Sequence, residues 1–186
     1  MVKNIHESGM TEKQERIFEI VKGVCPSAVA SDHREQLSIE ITKDSLLSVC
    51  GELKSNAETK FDMLIDVTAI DWADTREVRF ETVYFLYSME NKDRVRLKVP
   101  ISEREAECPS VTGIWESADW YERETFDMYG IKFSGHPDMR RFYMPEDFND
   151  PETGEPMFPL RKDFPMMGVP DAMPLPPYPE KYGELE

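Results

Sequence analysis

Hydrophobic and polar positions along this chain fall into two regimes. From Thr11 to about residue 100 the apolar residues recur with regular periods. Thr11-Glu-Lys-Gln14 has the form of a capping box, a hydroxyl at the cap and an amide three residues on. Ile17, Ile20, Val21 and Val24 follow at helical spacing, and Gly23 and Pro26 end the run. Residues 27–30 and 36–41 predict two strands joined by a polar turn at 32–35, the second strand alternating strictly. Thr42 or Asp44 is placed to cap a second helix, in which Leu46, Leu47, Val49, Cys50 and Leu53 form a broad apolar stripe. Residues 61–72 alternate and put Met63, Ile65, Val67 and Ala69 on one side. Residues 79–89 and 94–99, separated by Asn91-Lys-Asp93, predict a hairpin. Two helices on one face of a mixed, mostly antiparallel sheet make residues 1–108 an α+β, two-layer domain.

Residues 109–144 predict a different unit. A short helical or turn segment at 109–115 leads to a helix capped by Ser117 or Asp119, and Gly130 supplies a left-handed residue at its end. From residue 145 no period survives, and ten of the fourteen prolines lie in 145–186. Phe148, Met157, Phe158, Leu160 and Phe164 nonetheless recur, unlike the composition of a disordered tail. Proline lowers the entropy lost when an extended chain is fixed. Residues 145–186 therefore read as an extended arm laid along a partner.

Charge and cysteine content narrow the function. A formal net charge of −15 disfavours nucleic acid, which is bound by clustered Lys and Arg, and suits a partner with a basic face. Cys25, Cys50 and Cys108 are far apart with no Cys-x-x-Cys pair, so neither a disulfide framework nor a thiolate-ligated cluster is expected. Free thiols suit a reducing compartment. The longest purely apolar run, Val83 to Tyr87, is far short of the roughly 20 residues of a membrane span. The N-terminus lacks the apolar stretch of a secretory signal. Any membrane contact is expected to come through another protein.

Two clusters concentrate the ionisable groups. In the first, Glu122, Arg123, Glu124 and Asp127 precede Gly130, and His136, Pro137, Asp138, Arg140 and Arg141 follow it. Glu124 and Asp127 share a helix face, with Glu122 directed elsewhere. Glu124, Asp127, His136 and Asp138 include the donor types of a hydrolytic metal site, yet no second histidine stands at ligand spacing. The alternative employs every residue: the arginine pair folds back on the carboxylates as charge-assisted pairs, an ion-pair lock. His136, before a proline, reads as a hydrogen bonder that fixes a turn. The second cluster, Pro159, Leu160, Arg161, Lys162 and Asp163 before Phe164-Pro165, reads as a rigid docking element.

These motifs closely resemble the signature of the 30 kDa-type subunit (the C subunit) of proton-translocating NADH:quinone oxidoreductase, respiratory complex I, in its stand-alone form. Glu122-Arg-Glu-Thr-Phe-Asp-Met-Tyr-Gly130, His136-Pro-Asp-Met-Arg-Arg141 and Pro159-Leu-Arg-Lys-Asp-Phe-Pro165 carry the resemblance. One departure is a longer link, residues 150–158, where the family usually has a short segment containing Gly-His. The resemblance implies a peripheral subunit on the cytoplasmic side of the inner membrane, packed on the 49 kDa-type quinone-site subunit and other hydrophilic-arm subunits. It implies no catalytic, cofactor-binding or metal-binding residue in this chain. FMN, iron–sulfur clusters, NADH and quinone would belong to the complex. Related subunits serve in energy-converting membrane-bound hydrogenases and in enzymes that use other electron donors.

Overall fold

The computed structural model describes residues 10–165. Helix α1 (Glu12–Val24) opens on the expected capping box. The Thr11 hydroxyl accepts from the Gln14 N–H, and the Gln14 side chain accepts from the Thr11 N–H. Strands β1 (Val29–His33) and β2 (Gln36–Glu40) are joined by Arg34 and Glu35, both with positive φ, the turn whose twist suits a tight hairpin. Helix α2 (Leu46–Ser55) follows a 3-10 turn and starts at Ser45, with no side chain closing its first turn. The cap expected from Thr42 or Asp44 is replaced by a local exchange in which Ser45 Oγ donates to the Thr42 carbonyl.

Strands β3 (Met63–Asp71), β4 (Phe80–Tyr87) and β5 (Arg94–Ile101) complete a five-stranded sheet of order β1-β2-β5-β4-β3. Only the β2–β5 pairing is parallel, so the sheet is mixed and mostly antiparallel, as expected. Ile17 and Val21 of α1 and Leu46, Val49, Cys50 and Leu53 of α2 join a core with Phe80, Tyr84, Leu86, Val95, Leu97, Val99 and Ile101. Each large apolar side chain so buried contributes about 1.5–3 kcal/mol before entropy is charged against it.

Two expectations need correction. Met63 and Ile65 do not lie inward with Val67 and Ala69: they are 47% and 37% exposed, whereas Leu64 is buried. A β-bulge is responsible. Leu64 pairs with Leu86 and Asp66 with Phe85, so Ile65 is an extra residue and the strand changes face across it.

The arm, too, is not wholly extended along a partner. Residues 145–165 fold back, with Met157 N–H donating to the Phe148 carbonyl and Leu160 N–H to the Met128 carbonyl. Phe158 packs its ring against Phe126 and the end of α3, and Phe148 and Phe164 stack on each other, while Leu160 stays exposed. The rest of the expected arm, 166–186, lies outside the described residues.

Helix α3 (Ala118–Tyr129) lies along β3 and closes its open edge. Trp115 Nε1, Ser117 Oγ and Thr125 Oγ1 donate to the carbonyls of Phe61, Leu64 and Val67. An edge strand with free carbonyls invites unwanted pairing, and these side chains occupy them. Ser117, expected with Asp119 as a cap, serves the sheet instead and makes no cap bond. Short strands β6 (Glu107–Pro109) and β7 (Lys132–Ser134) pair in parallel on either side of α3 in the sequence.

Candidate functional site

Helix α3 ends where the sequence places its glycine. Gly130 has φ +76°, the left-handed conformation that costs a residue with a Cβ about 1–2 kcal/mol. A second constraint was not visible in the sequence. A Cβ at Gly130 would lie 2.5 Å from Arg161 Nη2 and 2.6 Å from the Phe158 ring. The two charged clusters thus meet at this residue. Arg161 Nε donates to the Tyr129 carbonyl at 2.6 Å, placing a cation at the C-terminus of α3, where the helix dipole favours it. The guanidinium is 4.4 Å from the Phe158 ring centre and 5.1 Å from that of Phe80.

Asp127 is fully buried. Its Oδ2 accepts from the N–H groups of Phe142 (2.6 Å), Tyr143 (2.7 Å) and Met144 (3.3 Å), and Arg141 Nη1 lies 3.2 Å from Oδ1. One carboxylate therefore holds a loop in place through three backbone donors and one arginine. The pairing expected of Arg141 is present. That of Arg140 is not: Arg140 forms a bidentate pair with Asp138, two residues away and at the surface. The short span offers Arg140 a nearer carboxylate than those of α3.

Glu122 is directed elsewhere than Asp127, as expected, but meets a backbone N–H and a hydroxyl in place of an arginine. It is buried with Asp127, and its two oxygens accept from the Val111 N–H and the Ser110 hydroxyl, both at 2.7 Å. Burial pushes its carboxyl up to about 7, against the lowering effect of those two bonds. Glu124 lies apart from both, near Asp66 on β3.

His136 fixes a turn, as its place before Pro137 suggested. Its Nδ1 accepts from the Asp138 N–H, so the proton of the neutral ring is on Nε2, 3.2 Å from the Asp119 carbonyl and 3.1 Å from Asp119 Oδ1. Asp127, His136 and Asp138 are each engaged in a different direction, and Glu124 stands apart from all three. Among the described residues no group of three or more His, Cys, Asp or Glu is arranged to hold a metal ion.

The second cluster is anchored by residues outside both motifs. Asp71, at the end of β3, receives Arg79 Nε and Nη2 at 3.1 and 3.0 Å and the Lys162 N–H at 2.8 Å. Burial pushes the Asp71 carboxyl up, but these bonds and the Ala73 N–H outweigh it and hold it at about 2. Arg79 also meets Asp163 at 2.8 Å and contacts Glu103. Pro159-Leu-Arg-Lys-Asp163 is therefore docked on its own sheet, with Leu160 51% exposed. Asp71, Arg79 and Ser110 do not stand out in the sequence. The available signal was a charged residue closing an apolar strand, followed eight residues later by an arginine.

Among the described residues no helix is long and apolar enough to cross a membrane. Residues 39–170 match the family described as the respiratory-chain NADH dehydrogenase 30 Kd subunit. The chain is 45% identical over 134 residues to the NADH-quinone oxidoreductase C 2 subunit of Rhizobium meliloti, covering 72% of this chain and 68% of that protein. It is 38% identical over 152 residues to the NADH-quinone oxidoreductase C subunit of Roseiflexus, covering 81% and 83%. Among solved structures it resembles the trypsin-resistant fragment (1-134) of Nqo5, with TM-score 0.56, 27% identity and coverage of 68% and 98%. It also resembles a chain of the membrane-bound sulfane sulfur reductase, an archaeal respiratory membrane complex, with TM-score 0.65, 30% identity and coverage of 84% and 88%. Signature, fold and relatives agree, and the chain belongs to the respiratory-chain NADH dehydrogenase 30 Kd subunit family, the C subunits of NADH-quinone oxidoreductases.

Proposed function

We propose that this chain is a non-catalytic peripheral subunit on the cytoplasmic side of the membrane. It braces the 49 kDa-type quinone-site subunit of a proton-translocating NADH:quinone oxidoreductase while electrons pass from NADH to quinone. FMN, iron–sulfur clusters, NADH and quinone are held by other subunits, and this chain supplies a rigid shape. One observation carries the reading. The acids and arginines of the family signature are largely spent on this chain's own backbone and on neighbouring charges: Asp127 on residues 141–144, Arg140 on Asp138, Arg161 on the Tyr129 carbonyl and Asp163 on Arg79. Such pairing suits a scaffold, because removing one partner of a buried pair costs about 3–5 kcal/mol.

Affinity purification of the tagged full chain from gently solubilised membranes tests this, with native mass spectrometry of what is recovered. The expected result is a complex containing the quinone-site subunit together with flavin and iron–sulfur subunits. A chain recovered alone from cells that respire on NADH overturns the reading. The likeness to the sulfane sulfur reductase chain favours a second reading, the equivalent subunit of a membrane-bound hydrogenase or other donor-specific complex. The same purification separates the two, since a nickel-ligating large subunit in place of the quinone-site subunit supports the second.

A further inference from the structure

The solvent face of α3 carries a surface that the internal bracing leaves unused. Trp120 is 52% exposed, Phe142 41% and Tyr143 57%. Their rings form one continuous edge-to-face array, with centroids 4.7 Å apart for Trp120–Phe142 and 4.4 Å for Phe142–Tyr143. The array is fixed from beneath. Asp127 holds the N–H groups of Phe142 and Tyr143. Arg123 donates to the Arg140 and Arg141 carbonyls, with its guanidinium 5.1 Å from the Trp120 ring and 5.3 Å from the Phe142 ring. Large aromatics held rigidly at a surface lose little entropy when covered, and aromatics with arginine make up the anchors of protein interfaces.

One helical turn from Trp120, on the same face of α3, stands Glu124. The Thr125 hydroxyl bond to the Val67 carbonyl, 2.8 Å, holds α3 against β3 at the neighbouring residues Glu124 and Asp66; burial, and after it the charge of Asp66, push the Glu124 carboxyl up, and burial does the same to Asp66. Asp127, Asp138 and Asp163 each have an arginine. Among the described residues no Lys or Arg lies within ion-pair distance of Asp66 or Glu124. Two half-buried carboxylates repelling each other beside exposed aromatics are stabilised by a cation from outside.

We propose that this face docks a segment of a partner protein that places a Lys or Arg side chain between Asp66 and Glu124 and apolar residues on the Trp120–Phe142–Tyr143 array. The proposal rests on the reading of the chain as a subunit of a larger complex, and it adds the surface and the chemistry of what covers it.

The test uses the full chain in cells that assemble the complex. A photo-cross-linking benzophenone amino acid is placed at position 120 or 143. A control is placed at position 29 on β1, the opposite edge of the sheet, where Val29 is 62% exposed. After irradiation the complex is purified and cross-linked peptides are mapped. Cross-links from 120 and 143 are expected on a partner segment containing Lys or Arg, with none from 29. In parallel, Trp120→Ala is expected to weaken association about thirtyfold, the scale of an aromatic anchor, and Glu124→Lys about tenfold. Both purified variants are expected to keep the wild-type circular dichroism melt.

The proposal fails if an intact complex gives cross-links from 29 but not from 120 or 143. It fails equally if they fall on a second copy of this chain, on its own residues 166–186, or on a segment without a basic residue. Wild-type recovery of the Glu124→Lys complex also overturns it. In each of these outcomes the chain is still found in the complex, so the proposed function stands. A chain that brings down no other subunit removes both.

Discussion

The sheet with α1 and α2, and the corner made by α3 with residues 131–165, are held together by different physics. In the first, apolar side chains such as Leu46, Leu53, Tyr84 and Leu97 are packed against one another with essentially no exposure. Any of several shapes would satisfy that burial, and stability is spread over many contacts. In the second, single carboxylates each hold a stretch of backbone: Asp127 the loop at 142–144, Glu122 the turn at 110–111, Asp71 the segment at 162. Directional bonds concentrate stability in few atoms and fix geometry closely. A surface that must match a partner gains more from the second kind of construction than from the first.

The sharpest way to break this contrast is to delete one anchor from each region. Asp127→Ala leaves Arg141 and three N–H groups without their acceptor and is expected to cost about 3–5 kcal/mol. In hydrogen exchange the loss should appear first at residues 141–144. Leu53→Ala, about 2–5 kcal/mol, should instead lower protection throughout the sheet. If both variants lose protection uniformly, the two regions are one cooperative unit and the contrast falls.

Next in size is a pH effect. The folded-state pKa of Glu122, about 7, stands above its ordinary value of 4.5. Between these values the folded chain binds the extra proton, so the contribution of Glu122 to stability is fully present below about pH 4.5 and is lost as pH rises through 7, about 3 kcal/mol in all. Glu122→Gln keeps an acceptor for the Val111 N–H and should flatten that part of the stability–pH curve in urea titrations. Asp71 runs the other way. Its pKa is depressed from 3.8 to about 2, so its contribution is present above pH 4 and lost as pH falls through 2. An unchanged slope in the Gln variant would mean that Glu122 is not the group titrating.

Gly130→Ala comes third. The left-handed backbone and the clash with Arg161 and Phe158 together are expected to cost about 2 kcal/mol and to loosen residues 158–161, while α1 and α2 keep their exchange rates. Arg140→Ala is the smallest. Its pair with Asp138 is solvent-exposed, so no measurable change in melting temperature is expected.

How much of this was legible beforehand follows the same division. The capping box at Thr11, the stripe on α2, the hairpin of β4 and β5 and the ending of α3 at Gly130 all rest on local chemistry, and each stands where periodicity and turn residues put it. Met63 and Ile65 were misplaced because a bulge changes the face of a strand without leaving any mark in composition. The fold-back of residues 145–165 leaves no such mark, because its anchors lie far away in sequence. The Lys162 N–H meets a carboxylate 91 residues earlier, and nothing in Pro-Leu-Arg-Lys-Asp discloses where that acceptor stands. Arg140 went to the nearer acid, a choice that charge pattern alone leaves undecided.

The space left by the missing side chain of Gly130 has a consequence for biosynthesis. Arg161, which fills it, is 32 residues downstream of the carbonyl it binds, so α3 emerges from the ribosome with its Gly130 turn but without that cation. N-terminal parts of a chain settle first during translation. The sheet and its helices can form while the corner waits, and closure of the corner reports that residues 158–163 have been made. A chain terminated before residue 161 lacks both the Arg161 bond to the end of α3 and the Asp163 contact to Arg79.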